Sequence, residues 1–127
     1  MNLRRLRLLE KAVREQPDEL FDMANWVEPG PCGTVCCAAG SYAVRYPKGG
    51  LSLQWDGEGN RVISSKTPGI VEFEACAEVF GMTEDEAEQL FSPYFYMQPT
   101  KPNVLGRIRS YIRKAERERA KRKAVRA

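Results

Sequence analysis

Leu3, Leu6, Leu9 and Val13 recur at helical spacing while Arg4, Arg7, Lys11 and Arg14 fall off that stripe. Residues 2–15 therefore read as an amphipathic helix with one apolar and one basic side. Pro17 ends it. Pro17-Asp18-Glu19 then opens a short second helix, because proline is tolerated in a first turn and acids there complement the positive end of the helix dipole. Leu20, Phe21, Met23 and Trp26 supply the buried side of that helix, and Glu28-Pro29-Gly30-Pro31 breaks it. From Gly33 to Val44 the residues are small and apolar nearly all round, the composition of a buried central helix capped near Thr34. Pro47-Lys48-Gly49-Gly50 terminates this helix.

Period-two alternation follows. Leu51, Leu53 and Trp55 alternate with Ser52 and Gln54, Asp56-Gly57-Glu58-Gly59-Asn60 is turn-forming, and Val62-Ile63 resume the apolar pattern, predicting a small β-hairpin near residues 51–64. Lys66-Thr67-Pro68-Gly69 is loop. Val71, Ala75, Val79 and Phe80 mark another helix that stops at Gly81, a residue suited to a left-handed C-terminal position. Thr83-Glu84-Asp85-Glu86 has the spacing of a capping box, and Ala87, Leu90 and Phe91 face the core from the helix it starts, with Ser92-Pro93 as its stop. A last helix begins near Pro102, carries Val104, Leu105, Ile108, Tyr111 and Ile112 on one stripe, and loses its apolar face after Ala115.

The expected architecture is mainly α (α+β): a compact helical domain over residues 1–112 with one small β-hairpin, followed by a basic extension over 113–127 that is helical or disordered. Within that extension only weak Glu116/Arg119 and Glu118/Arg122 pairing is available.

A length of 127 residues suits one domain. The chain has no His, which removes Ser-His-Asp triads, Cys-His nucleophile pairs, imidazole metal ligands and imidazole proton shuttles together. Its four Cys, at 32, 36, 37 and 76, are too sparse for a disulfide scaffold and are expected as thiols. Every apolar run falls short of the roughly 20 residues that cross a bilayer, and the charged start does not resemble a signal peptide. A cytoplasmic protein is the expectation.

Charge is segregated. Residues 1–14 carry a net +4, residues 15–100 a net −10 and residues 101–127 a net +9. Such a distribution bears on partners and association rather than on fold.

The string Pro31-Cys32-Gly33-Thr34-Val35-Cys36-Cys37-Ala38-Ala39-Gly40 resembles the C-G-T-x-x-C-x-A-G core of a set of small uncharacterised proteins from phages and actinobacteria. The stretch Ala77 to Phe91 is similar to their second recurrent block, a helix, a Gly-Leu-Thr turn and a helix ending in Leu-Phe. Together the two blocks cover about a fifth of the chain. Where those proteins have a Trp after the Ala-Gly, this chain has Ser41-Tyr42. The resemblance implies a mostly helical domain with a β insertion, encoded by a phage or bacterium, and implies no activity.

Each chemical reading has a plainer rival. Cys32-Gly33 before a helix has the look of a papain-type nucleophile, whose thiol is acidified by a helix N-terminus, but that chemistry requires a His. The plainer reading makes Cys36 and Cys37 small core residues. A Cys₄ zinc site is opposed by Cys36 and Cys37 being adjacent, which on a helix points them about 100° apart. Glu84, Asp85, Glu86 and Glu88 read as a solvated helix face, and the glycine pairs lack the Lys-Ser/Thr of a phosphate loop. No catalytic residue, metal ligand or cofactor is assigned.

The basic tail is the most suggestive feature. Arg109, Arg113, Lys114, Arg117, Arg119, Lys121, Arg122 and Lys123 run round the helix, a distribution suited to backbone phosphates more than to base edges. Arg107 belongs to the same run, and Tyr94, Phe95 and Tyr96 upstream are placed to stack on exposed bases. The expected function is thus a non-enzymatic accessory protein contacting nucleic acid. The alternative is a protein–protein module, either self-associating or inhibiting a host factor. Thiol-dependent enzymology and nucleotide capture stay as further alternatives.

Overall fold

A computed structural model describes the backbone of residues 1–30, 33–55, 57 and 59–126, and the side chains of these apart from residues 27–30, 33–35 and 126. Five α-helices, α1 (Leu3–Glu15), α2 (Ala38–Arg45), α3 (Glu72–Phe80), α4 (Glu84–Phe91) and α5 (Lys101–Arg126), surround four strands, β1 (Val27–Gly30), β2 (Gly33–Cys36), β3 (Leu51–Trp55) and β4 (Asn60–Ser64). The strands form one antiparallel sheet in the order β2-β1-β4-β3. Two hairpins build it. β3 pairs with β4 along its whole length, from Leu51 opposite Ser64 to Trp55 opposite Asn60. Among the described residues, the β1–β2 hairpin joins β4 through the pair Val27–Asn60.

Mainly helical architecture, the 51–64 hairpin and the basic C-terminal helix are as the sequence patterns predict. Gly81 takes the left-handed conformation, φ 66°, that only glycine adopts without a steric cost. The capping box closes in both directions: the Glu86 N–H donates to Thr83 Oγ1 at 3.1 Å, and the Thr83 N–H donates to Glu86 Oε1 at 3.0 Å.

The first third of the chain differs. Asp18–Leu20 is a single 3₁₀ turn rather than a helix reaching Trp26, and residues expected to break that helix instead enter β1. The helix expected over Gly33–Val44 starts only at Ala38. Before it, Gly33–Cys36 pairs with β1 as a strand. Thr34 and Val35 are β-branched and Gly33 is a poor helix former, so this short apolar run favours extended pairing once β1 supplies a partner. The cap moves with the boundary, from Thr34 to Cys37, whose Sγ accepts the Gly40 N–H at 3.4 Å. Pro31 and Cys32 lie outside the described residues, as do Asp56 and Glu58 of the hairpin turn and Ala127.

The core is centred on Phe80, which is fully buried. Its ring meets Tyr42 edge-on at 4.9 Å and Phe91 at 5.5 Å, favourable geometries for aromatic pairs. The Phe80 carbonyl accepts the Asn2 N–H at 2.8 Å, which seats the start of α1 on the α3–α4 corner.

α5 lies along α1. Val104, Leu105, Ile108, Ile112 and Ala115 form its buried stripe, and Leu6, Leu9, Ala12 and Val13 form that of α1. The order of ion pairs, Lys101 near Asp18, Arg109 on Glu10 and Glu116 on Arg7, shows that the two helices run antiparallel. Lys101 fixes the register: its Nζ donates to the carbonyls of Arg14 (2.8 Å) and Gln16 (2.6 Å) and pairs with Asp18 at 3.1 Å. One ammonium thereby satisfies orphan carbonyls at the end of α1 and meets the negative end of its dipole. The expected pairing of Glu116 and Glu118 within the tail is replaced: Glu116 reaches Arg7 at 3.8 Å, and Glu118 reaches the Met1 amino group at 3.6 Å. Both acids are better placed against cations across the helix pair than against flexible neighbours on their own helix.

Two substitutions separate burial from capping. Ile108→Ala, at a fully buried position, is expected to lower stability by about 2–5 kcal/mol in urea unfolding. Lys101→Met keeps the aliphatic stem and loses only the charge-assisted hydrogen bonds, with an expected loss of about 1–3 kcal/mol. A Lys101→Met variant as stable as the parent would show that the ammonium does not hold the end of α1.

Candidate functional site

The basic residues of α5 divide by where they sit. Lys114 is tied down at 2.9 Å to Glu86, which raises its pKa. Arg109 places Nε 3.1 Å from Glu10 Oε2, and Arg14 reaches the other oxygen of the same carboxylate at 3.6 Å. Arg107 is drawn further in: it donates to the carbonyls of Gln89 (2.6 Å) and Phe95 (2.8 Å) and stacks 3.9 Å over the Tyr96 ring. Arg113, Arg117, Arg119, Lys121, Arg122 and Lys123 are exposed and make no ion pair among the described residues.

The upstream aromatics also separate. Tyr96 is expected to stack on a ligand, yet its hydroxyl donates to the Leu90 carbonyl at 2.7 Å and its ring lies under Arg107. Burial pushes its pKa up to about 12. Tyr96 is therefore part of the joint between α4 and α5. Tyr94, at 93 % exposure, Phe95, at 48 %, and the fully exposed Met97 remain at the surface.

A second basic element joins the first, and the tail alone does not reveal it. Arg4, Arg7, Lys11 and Arg14 are exposed along α1, and their 3- and 4-residue spacing keeps them on one face. The Arg7–Glu116 and Arg109–Glu10 pairs show that this face adjoins the α1 side of α5. Arg113 and Arg117 follow Arg109 at four-residue intervals, so they continue the same surface outward. Beyond Glu118 the eight remaining residues of α5 extend the helix by about 12 Å at 1.5 Å per residue. The result is a two-helix cationic face running into a single cationic helix. The sequence contains the signal, a basic stripe at each end of the chain, but not the antiparallel pairing that merges them.

The described thiols lie in the interior. Cys36, Cys37 and Cys76 are buried and not joined in disulfides. Burial raises all three, Cys37 to about 12 and Cys76 well above the usual thiol value, so none is a ready thiolate. No group of three or more potential metal ligands occurs among the described residues. Cys32, on which the nucleophile reading rests, is outside them. No described helix is long and apolar enough to cross a membrane.

Glu86 links the site to pH. Its carboxyl sits below the usual glutamate range because it accepts the Thr83 N–H and, next, because Lys114 pairs with it. A carboxyl whose pKa is lower folded than unfolded stabilises the fold above the unfolded value, and this contribution disappears as pH falls through the folded value. The melting temperature is thus expected to drop as pH is lowered through the acidic glutamate range, and to drop less in Glu86→Gln. Identical pH profiles for the two proteins would show that Glu86 does not link the α4 cap to α5.

In comparisons with known proteins, no family model, curated protein or solved structure matches the chain, and its function is read from this geometry.

Proposed function

We propose that the protein is a non-enzymatic binding protein that holds nucleic acid by its phosphate backbone, with the α1–α5 face as the contact surface. The observation that carries this reading is the placement of Arg4, Lys11, Arg113 and Arg117 as exposed cations on one two-helix surface. The projecting end of α5, with Arg119, Lys121, Arg122 and Lys123, prolongs it. A run of cations going round the helices, with no Asn or Gln among residues 3–14 or 104–126, neutralises phosphates and reads sequence weakly. The acidic body, net −10 over residues 15–100, repels a polyanion and so restricts contact to this face.

The test is fluorescence anisotropy with labelled oligonucleotides across a salt series. Affinity should vary little with base sequence, and log K should fall linearly with log salt by about 0.7–0.9 per phosphate neutralised. Replacing Arg117, Arg119, Arg122 and Lys123 by Gln should flatten that slope, and so should replacing Arg4 and Lys11 on α1, each without changing the circular dichroism. No binding near physiological salt would refute the reading.

Tyr94, Phe95 and Met97 favour a second reading, docking on a protein, since they expose apolar side chains beside the first turn of α5. That reading predicts a concentration-dependent oligomer in sedimentation, lost in Tyr94→Ser/Met97→Ser and unaffected by oligonucleotide.

A further inference from the structure

Away from the basic face, the loop before β1, the first turn of α3 and the end of α4 enclose a cleft of about 270 Å³. Trp26 and Phe73 form one wall, their rings 5.4 Å apart and tilted by 56°. Phe91 and Met23 are buried lining residues, and Tyr94 stands exposed among them. Among the described residues, Glu72 is the one lining residue with a formal charge, and it makes no ion pair with them.

Glu72 is also set apart by its backbone. At φ 52° it is the single non-glycine residue with positive φ among the described residues, a conformation that costs energy for any side chain bearing a Cβ. A carboxylate near a helix N-terminus ordinarily answers the dipole, but Glu74 occupies the same first turn and serves that purpose without the strain. The strained position is the one that lines the cleft, and such strain concentrates where a side chain is held for a ligand.

We propose that this cleft binds an organic cation of the alkylammonium or quaternary ammonium class. Aromatic faces carry negative charge density and attract such a cation, and a carboxylate supplies its counter-charge. An anion would meet Glu72 directly, and a neutral apolar ligand would strip water from it without compensation. The volume suits a trimethylammonium head with a short chain, and the acidic body raises the local concentration of cations.

Trp26 reports on the site once the exposed Trp55, the other of two tryptophans, is replaced by Phe. Emission would be followed at constant ionic strength with choline, with a peptide bearing trimethyllysine, and with 3,3-dimethyl-1-butanol, the neutral isostere of choline. A saturable change with either cation, at least about tenfold tighter than with the isostere, is expected, and the tighter cation tells a small molecule from a peptide side chain. Glu72→Gln should remove that preference with unchanged circular dichroism. Glu72→Gly should do the same without lowering the melting temperature, since it releases the left-handed strain. No response to millimolar cation, equal response to the isostere, or full cation binding by Glu72→Gln would each overturn the proposal.

Discussion

Burial of the α5 stripe against α1 and the core brings two like-charged segments together, and the rest of the surface follows from it. Removing Val104, Leu105, Ile108 and Ile112 from water contributes about 1.5–3 kcal/mol for each side chain fully buried, as an upper bound on compact denatured chains. Repulsion between exposed guanidinium and ammonium groups is on the order of 1 kcal/mol at 4 Å in water and is screened by salt. Apolar burial wins, and the cations have no choice of neighbours. Glu10 relieves one close approach by standing between Arg14 and Arg109, and Glu116 of α5 pairs with Arg7 of α1. What they leave unneutralised is an outward cationic surface available to a polyanion.

The opposite side of α5 is fixed by a different set of contacts. The Tyr111 hydroxyl donates to the Glu86 carbonyl at 3.2 Å, Lys114 pairs with the Glu86 carboxylate, and Arg107 closes over Tyr96. Arginine and tyrosine residues that resemble ligand-binding groups in the sequence are thus consumed in positioning the helix. Those that remain exposed stand on an ordered helix, so a ligand held by them would cost less backbone freedom than one held by a disordered tail.

What was legible in the sequence is what local chemistry decides. The Thr83–Glu86 box, the left-handed Gly81 and the β3–β4 hairpin each depend on residues close together in the chain, and each is found as the pattern predicts, although of the alternating Leu51, Leu53 and Trp55 only Leu51 is buried. The β1–β2 hairpin was not legible, because Gly33–Cys36 is too short and too apolar to separate strand from helix by period, and its partner carries a proline. The helix pairing is non-local: nothing near Glu116 indicates that Arg7 lies opposite it. For the same reason the eight basic residues assigned to binding split into free and tethered groups only when the body is present. The aromatic cleft, drawn from the segments around Trp26, Phe73 and Tyr94, has no sequence signature at all.

The central claim is that α1 and α5 act as one surface. Amide chemical-shift mapping during titration with a short oligonucleotide tests it most directly, since it locates contact by residue. The account predicts that amides of residues 4–14 and of residues 109–123 shift together, with one shared binding curve. Shifts confined to the projecting residues beyond 118, with α1 silent, would contradict it.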